Sequence, residues 1–433
     1  MAAKKKTTKK KATKKKVAKK KATRKKVSKK VPTKKKVTKK KAVKKKATKK
    51  KASSKKAVPK VFDVESLIKS INTEAKENVA ASGNEYTLGD IPGFVSTGCF
   101  PLDAHIAGGA FQGGWPLGRI IEVFGAESHG KSTLAVHALI SAQKGRARMV
   151  EWIEDELGDY VPKVTHKRTE PGLAMLIDSE STFSKVRATK MGLDVKKLVQ
   201  LKAKTVEQGF KHIHLAIKQA SESAYFKKTQ APIVIVWDTI AATPTEDELK
   251  GEMFASGIAS KPRTITQAMR TMTQILAQNN ILLIVVNQWY DVIGSRIPGL
   301  KETPGGRALK FHASMRVEVK RLGKWIAKGT PIGVNSVAKL IKSKVCRPYL
   351  DFALPIRGRT GIDSQQCLFE ALSVGGEKKS FLKKSGTRYV MKGFEKKFFS
   401  TQWRQFLAAH PKAQNICKRE ILKRALEEET ANA

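Results

Sequence analysis

Residues Gly125-Ala126-Glu127-Ser128-His129-Gly130-Lys131-Ser132 fit the pattern GxxxxGK[ST]. The chemistry this spacing serves is polyphosphate binding. Glycines let successive backbone N–H groups wrap phosphate oxygens, and the helix N-terminus that follows adds partial positive charge. Lys131 is placed to reach the β- and γ-phosphates and the Ser132 hydroxyl to ligate Mg²⁺. His129 is a spacer in this loop, with no catalytic role. A second acid lies at the end of the apolar run Ile233-Val234-Ile235-Val236-Trp237-Asp238, the arrangement that holds Mg²⁺ or its water shell. A third strand-like run, Leu173–Asp178, delivers Glu180 just beyond its end. A carboxylate there can orient and polarise an attacking water; the plainer alternative is a solvated loop acid.

These groups need a scaffold that brings strand ends together. Arg119–Phe124 reads as a buried strand ahead of the loop, and Leu173–Asp178, Ile233–Asp238, Ile281–Asn287, Met315–Lys320 and Val337–Ile341 read as further strands. Helical patterns over Ser132–Gln143 and Val206–Ala220 separate the earlier ones, and Ser66–Val79 mixes apolar and charged residues at helical spacing. Strand–helix alternation with near-continuous apolar strands predicts an α/β fold around a mostly parallel sheet covered on both faces. A composition change near Pro355–Gly361 predicts a boundary to a small basic α+β C-terminal domain ending in a charged helix at about Ile416–Glu429.

Charge is distributed unevenly. The chain of 433 residues carries 86 Lys+Arg against 37 Asp+Glu, a net of +49. Residues 1–60 hold 31 Lys, Arg24 and no acid, which leaves 54 basic and 37 acidic residues in the remainder, a net of +17. A uniformly basic globule is excluded, because like charges at every second residue cannot be packed together. The tail alternates Lys clusters with Ala, Thr or Val, has almost nothing large to bury, and is expected to stay disordered when free. Its composition resembles the lysine-rich tails of linker histones and makes a polyanion, most simply nucleic acid, the leading partner. The apolar runs are far shorter than the roughly 18 residues a membrane span needs, so no membrane role is expected. Cys99, Cys346, Cys367 and Cys417 are widely spaced without a CxxC pair, against a disulfide framework or a zinc site and in keeping with a reducing cytosol.

Further motifs give the chain a resemblance to the RecA family of recombinases over about residues 61–430. Ser96-Thr97-Gly98-Cys99-Phe100-Pro101-Leu102-Asp103 resembles the family's segment ahead of the phosphate loop, and the loop from Gly125 to Thr133 is close to the bacterial form. Ile177-Asp178-Ser179-Glu180 matches the strand carrying the family's catalytic glutamate, and Val286-Asn287-Gln288 the motif whose glutamine senses the γ-phosphate. Gly305-Gly306-Arg307-Ala308-Leu309-Lys310-Phe311 is similar to the close of the second DNA-binding loop, which begins at about Trp289. Lys342-Ser343-Lys344 looks like the lysine pair that reaches a neighbour's ATP across a filament interface. The segment Gly251-Glu252-Met253 to Arg270 corresponds to the first DNA loop and its helix, with Thr266 and Arg270 at phosphate-contacting positions and Ile293 at the apolar wedge of the second loop.

The resemblance implies an enzyme: a DNA-dependent ATPase using ATP and Mg²⁺, which forms helical homo-oligomeric filaments on single-stranded DNA and catalyses homologous pairing and strand exchange with double-stranded DNA. It implies a cytoplasmic, nucleoid-associated protein of a bacterium or phage-infected cell, with mediator or single-strand-binding proteins as possible partners. On that reading the catalytic residues are Glu180, Lys131 and Gln288. Gly125, Ala126, Glu127, Ser128, His129, Gly130, Ser132, Thr133, Arg187, Asp238, Lys342 and Lys344 bind nucleotide. Thr266, Arg270, Ile293, Gly305, Gly306 and Arg307 bind DNA, and Ser132 with Asp238 holds Mg²⁺.

Departures accompany the match. Arg187 replaces the family's adenine-stacking aromatic, and its planar guanidinium retains the capacity to stack. Asp291 is apolar in the bacterial proteins and Arg307 is asparagine there. An insertion of about 25 residues, around 146–171, contains the acidic stretch Glu151-Trp152-Ile153-Glu154-Asp155-Glu156, read either as a docking element for a partner or the basic tail, or as a solvated excursion. The expected organisation is a tail (1–60), an N-terminal helical oligomerisation segment (61–95), the ATPase core (96–356) and the C-terminal domain (357–433). Two alternatives come from other classes: a histone-like DNA-compacting protein with a regulatory ATPase core, and a ring helicase on the same core.

Overall fold

The computed structural model describes residues 63–76, 90–154, 160–229, 231–250, 260–291, 301–327, 329–374 and 381–430. The tail of residues 1–60, the segment 251–253, Ile293 and part of the acidic stretch at 151–156 lie outside the described residues or their described side chains. Residues 64–433 form one compact unit.

Fifteen strands precede the C-terminal region: β1 (Gly93–Val95), β2 (Trp115–Pro116), β3 (Ile120–Gly125), β4 (Ala147–Glu154), β5 (Tyr160–His166), β6 (Leu173–Asp178), β7 (Leu198–Gln200), β8 (Ile233–Asp238), β9 (Ile281–Gln288), β10 (Tyr290–Asp291), β11 (Lys301–Glu302), β12 (Met315–Ala327), β13 (Thr330–Ser343), β14 (Asp351–Arg357) and β15 (Gly361–Ile362). Nine of them make the main sheet in the order β15-β14-β13-β12-β3-β9-β8-β6-β7. From β12 to β7 every pairing is parallel, and the edge from β12 through β15 is antiparallel.

The apolar strands supply both faces because side chains alternate along a strand. Ile121, Val123, Val234, Val236 and Ile284 pack on one side against the helix Lys131–Gln143, through Leu134 and Ala138. Ile120, Ile233, Ile235, Leu283 and Val285 pack on the other against the helices Val206–Glu222 and Ser260–Gln278, through Ile213 and Met269. The expected strand runs all fall within these elements, save Arg119, which lies one residue before β3. The two last ones extend well past their predicted ends, because the outer halves of β12 and β13 form a hairpin whose Leu322 and Ile326 are exposed, so no continuous apolar run marks it.

The segment 146–171, expected to be an insertion, contains two paired strands. β4 and β5 pair antiparallel and join β1 and β2 in a second sheet, β2-β1-β4-β5, and the Trp152 indole N–H donates to the Ile91 carbonyl at 3.1 Å. A third hydrophobic cluster joins Phe100 and Ala104 to Leu368, Phe369, Phe398, Trp403, Phe406 and Ile421. Tyr389 and Phe394, aromatics of the basic C-terminal surface, pack on Phe369 and Phe406 at ring separations of 4.9 and 5.5 Å.

Candidate nucleotide and DNA site

The phosphate loop runs from the end of β3 into the helix Lys131–Gln143. Two glycines are required by geometry: Gly125 has φ 147° with a Cβ position only 2.3 Å from the Val319 carbonyl oxygen, and Gly130 has φ 105° with its Cβ position 2.3 Å from Ile356 Cδ1. His129 pins the loop, since its Nδ1 lies 3.1 Å from the Val319 carbonyl and its own carbonyl accepts from the Ser336 hydroxyl at 2.8 Å. The Lys131 ammonium folds back onto the loop, donating to the Ala126 carbonyl at 2.7 Å. Burial lowers the Lys131 pKa, against the carboxylates of Asp238, Glu180 and Glu127, which raise it.

β6 and β8 are parallel neighbours in register, Asp178 opposite Asp238, which brings the two acidic strand ends together. Burial raises the Asp238 pKa, and the Glu180 and Asp178 carboxylates add to the shift; the Ser132 hydroxyl, hydrogen-bonded to Asp238, and Lys131 oppose it. A buried carboxylate crowded by two others, with a serine hydroxyl beside it, is a donor set suited to a hard divalent cation, and Ser132 and Asp238 would hold Mg²⁺ there.

Glu180 stands past the end of β6, where the Asp178 carboxylate accepts the backbone N–H groups of Thr182 and Phe183 and shapes the turn. Its Oε1 accepts from the Thr239 hydroxyl at 3.0 Å and from the Gln288 amide at 3.1 Å. Three strand ends thus converge on one carboxylate. Next to it, a cavity of about 380 Å3 is lined by Ala126, Glu127, Gln288, Trp289, Tyr290 and Lys301, so loop and glutamine share one opening.

Arg187 Nη2 donates to the Thr133 hydroxyl at 2.8 Å and Nε to the Gly358 carbonyl at 3.3 Å. The guanidinium therefore bridges the phosphate-loop helix and the residue after β14, on the wall of a cavity of about 290 Å3 that also contains Ser128, Lys131, Ser132 and Val334.

One buried polar cluster beside the site carries almost no sequence signal. Glu122, fully buried on β3, pairs with Arg316 of β12 and accepts from the Asn287 amide of β9 at 3.0 Å. Asn287 also donates to the Pro304 carbonyl at 3.0 Å, and Arg316 reaches the Thr303 hydroxyl at 3.4 Å. The strand under the phosphate loop is so tied to the end of the segment that follows Gln288. Only the coincidence of a lone acid within an apolar strand hinted at it.

The proposed DNA contacts gather at one place. Gly305 and Gly306, with φ of 95° and 65°, open the helix Gly306–His312; they approach Ile265 and Pro262 of the helix Ser260–Gln278, which carries Thr266 and exposed Arg270. Arg307 is exposed beside them, and the Thr266 hydroxyl donates to the Pro262 carbonyl at 2.6 Å. Short strands β10 and β11 pair Asp291 with Lys301 at the neck of the segment between them. Lys342 and Lys344 sit elsewhere in this chain: Lys342 Nζ donates to the Lys310 and Phe311 carbonyls at 2.6 and 3.0 Å, and Lys344 Nζ to Phe311 at 3.3 Å, capping the C-terminus of that helix.

A strand–loop–helix phosphate cradle, with acids brought in by two adjacent parallel strands, defines a P-loop nucleotide-binding α/β protein. Residues 63–158 and 160–363 match the family of the RecA N-terminal domain. Curated RecA proteins are similar over most of the chain. That of Acholeplasma laidlawii is 33% identical over 281 residues, 65% of this chain and 72% of its own length. Those of Rubrobacter xylanophilus and Thermus aquaticus are 29% identical over 330 residues (76% and 83%) and 30% identical over 304 residues (69% and 77%). The chain belongs to the RecA family, whose members are recombinases. Among the described residues no helix is long and apolar enough to cross a membrane, and no group of three or more His, Cys, Asp or Glu is arranged to hold a metal.

Proposed function

We propose that the protein is a DNA-dependent ATPase that assembles on single-stranded DNA as a helical filament and catalyses homologous pairing and strand exchange. The observation that carries this reading is the convergence of Glu180, Thr239 and Gln288 beside Lys131 and Asp238. Glu180 orients the attacking water, while Lys131 and the backbone N–H groups of Gly125–Thr133 neutralise the phosphoryl oxygens. Arg187 borders the nucleotide base. Ser132 and Asp238 would hold Mg²⁺, which would supply positive charge to offset that of the phosphates.

Gln288 lies at the start of the segment leading to Ile293 and Gly305, so hydrolysis and DNA contact meet at one side chain. Thr266, Arg270, Gly305, Gly306 and Arg307 contact the phosphodiester backbone without reading sequence. Lys342 and Lys344 reach the nucleotide of the next protomer, exchanging helix carbonyls for phosphate. The chain is organised as tail (1–60), N-terminal segment (61–95), ATPase core (96–356) and C-terminal domain (357–433), the tail acting as a sequence-blind DNA tether. The test is steady-state ATP hydrolysis with and without single-stranded DNA. Stimulated turnover that disappears in Glu180→Gln while nucleotide binding persists supports the proposal; turnover indifferent to DNA contradicts it.

A further inference from the structure

A second polar cavity, of about 320 Å3, shares no lining residue with the cavities at the phosphate loop. It opens between the segment Ser96–Asp103, the base of the β4–β5 hairpin and the helix Pro411–Thr430. Five cations line it: Arg146 and Arg148 near the start of β4, Lys167 and Arg168 just past β5, and Lys418 of the helix. The carboxylate facing them, Asp103, is fully buried and already engaged: it accepts from the Ser96 and Thr97 hydroxyls at 2.6 Å each, the Thr97 backbone N–H at 2.8 Å and the Gln112 amide at 3.1 Å.

Among the described residues none of the five cations forms an ion pair within 4.0 Å. Three of them are held in place by neutral partners. Arg148 donates to Gln112 at 3.1 Å, Arg168 to the Lys144 carbonyl at 3.3 Å, and Lys418 lies 5.3 Å from the Phe100 ring centre. Burial lowers the pKa of Arg148 and of Lys418, and the neighbouring cations, Arg168 and Arg148 respectively, lower them further, while the Asp103 carboxylate opposes both shifts. Five same-sign groups gathered round one concave site, two of them half-buried and a single acid facing all five, are in tension that an anion relieves.

We propose that this cavity is a second phosphate-binding site, taking a ligand with at least two phosphate charges: consecutive phosphodiesters of nucleic acid, or a free di- or polyphosphate. The count of charges favours phosphate over a single carboxylate, since five cations against one acid leave an excess that one negative charge does not cancel. The donor type favours it as well. Three of the five are arginines, whose planar fork matches phosphate oxygens in pairs. Four of the five lie at the two ends of the stretch 146–171, read from sequence as an insertion, so the site belongs to the part of the chain expected to depart from family spacing.

The test is site-resolved lysine acetylation of the full chain, read by mass spectrometry at Lys418 and Lys167, with the phosphate loop filled by a non-hydrolysable ATP analogue. The probes are inorganic pyrophosphate, a short single-stranded DNA and poly-glutamate, at ionic strength near 0.1 M, where charges more than about 10 Å apart are screened. The expected result is a fall of about tenfold in acetylation at Lys418 with either phosphate probe, equivalent to about 1.4 kcal/mol. That protection is lost in Arg148→Gln and in Arg146→Gln/Arg168→Gln, the latter pair being exposed and safe for folding, while protection of Lys131 by the analogue is unchanged. Protection by DNA alone identifies phosphodiesters as the ligand, and by pyrophosphate alone a free phosphate. Unchanged acetylation with both, protection that survives in the variants, or equal protection by poly-glutamate overturns the proposal.

Discussion

The Gln288 amide donates to the Glu180 carboxylate at 3.1 Å, across residues far apart in sequence that β9 and β6 bring together from either side of β8. The Thr239 hydroxyl fixes the same oxygen at 3.0 Å. The carboxylate proposed to orient water is in this way held from the side on which DNA is proposed to bind. Replacing Gln288 by Ala leaves Glu180 with one fewer fixed partner. Nucleotide affinity should change little, while DNA-stimulated turnover falls by about a hundredfold, the scale of losing a positioned acid–base group. Turnover with and without DNA, alongside equilibrium nucleotide binding, checks the split.

The buried pair Glu122–Arg316 gives a prediction in stability. Arg316→Met leaves a carboxylate in the core with only the Asn287 amide to satisfy it, at a cost of about 3–5 kcal/mol. Adding Glu122→Gln removes the charge and should recover most of the loss. Denaturant unfolding of the two variants measures it; equal instability of single and double variants contradicts the assignment.

Acid sensitivity follows from His137. Its Nε2 accepts the Ile362 N–H at 2.9 Å, and burial, with the charges of Arg146, Lys144 and Arg187, holds its pKa down at about 4. The unfolded chain takes up this proton near the ordinary value of 6.5, so its stabilising share is full above 6.5 and is lost as pH falls toward 4. The loss amounts to about 3 kcal/mol. His137→Gln should flatten unfolding free energy between those two pH values.

Arg187 joins the Thr133 hydroxyl to the Gly358 carbonyl at the edge of the nucleotide cavity. Arg187→Ala removes a wall and two hydrogen bonds, each worth about 1 kcal/mol. The expected effect is a KM for ATP raised about tenfold with kcat little changed, since its hydrogen bonds go to Thr133 and Gly358 and none to Glu180. A fall in kcat without a change in KM assigns it another role.

For the tail, log K for DNA should fall with log salt at about −0.9 per phosphate neutralised. Deleting residues 1–60 should flatten this slope and leave DNA-stimulated turnover largely intact. Salt titrations of both forms provide the measurement.

What could be read without coordinates was whatever is local. The phosphate loop is a contiguous pattern, and Asp238 ends an unbroken apolar strand, so residue type and neighbour sufficed. Glu180 needed the family resemblance, because a solvated loop acid has the same local sequence. Its partners Thr239 and Gln288 arrive from two other strands, and only the strand order reveals the contact. The pair of Glu122 and Arg316 was invisible for the same reason, each looking like an ordinary charge on its own strand. The stretch 146–171 reads in sequence as a docking element or a solvated excursion, with no strand expected, yet Trp152 and the pairing to β1 bring it into a sheet. Tyr389 and Phe394, set in a basic segment, pack largely on neighbouring aromatics, which composition alone does not decide.

The central claim is that ATP at this site supports pairing of homologous strands and that its hydrolysis carries strand exchange to completion. The most direct measurement is joint-molecule formation between a single strand and homologous supercoiled duplex by the full chain, with ATP, without nucleotide, and in the Glu180→Gln variant. The account predicts joint molecules that require ATP and homology, with strand exchange failing to complete in the variant. ATP hydrolysis without homology-dependent joint molecules, or pairing indifferent to nucleotide, would contradict it.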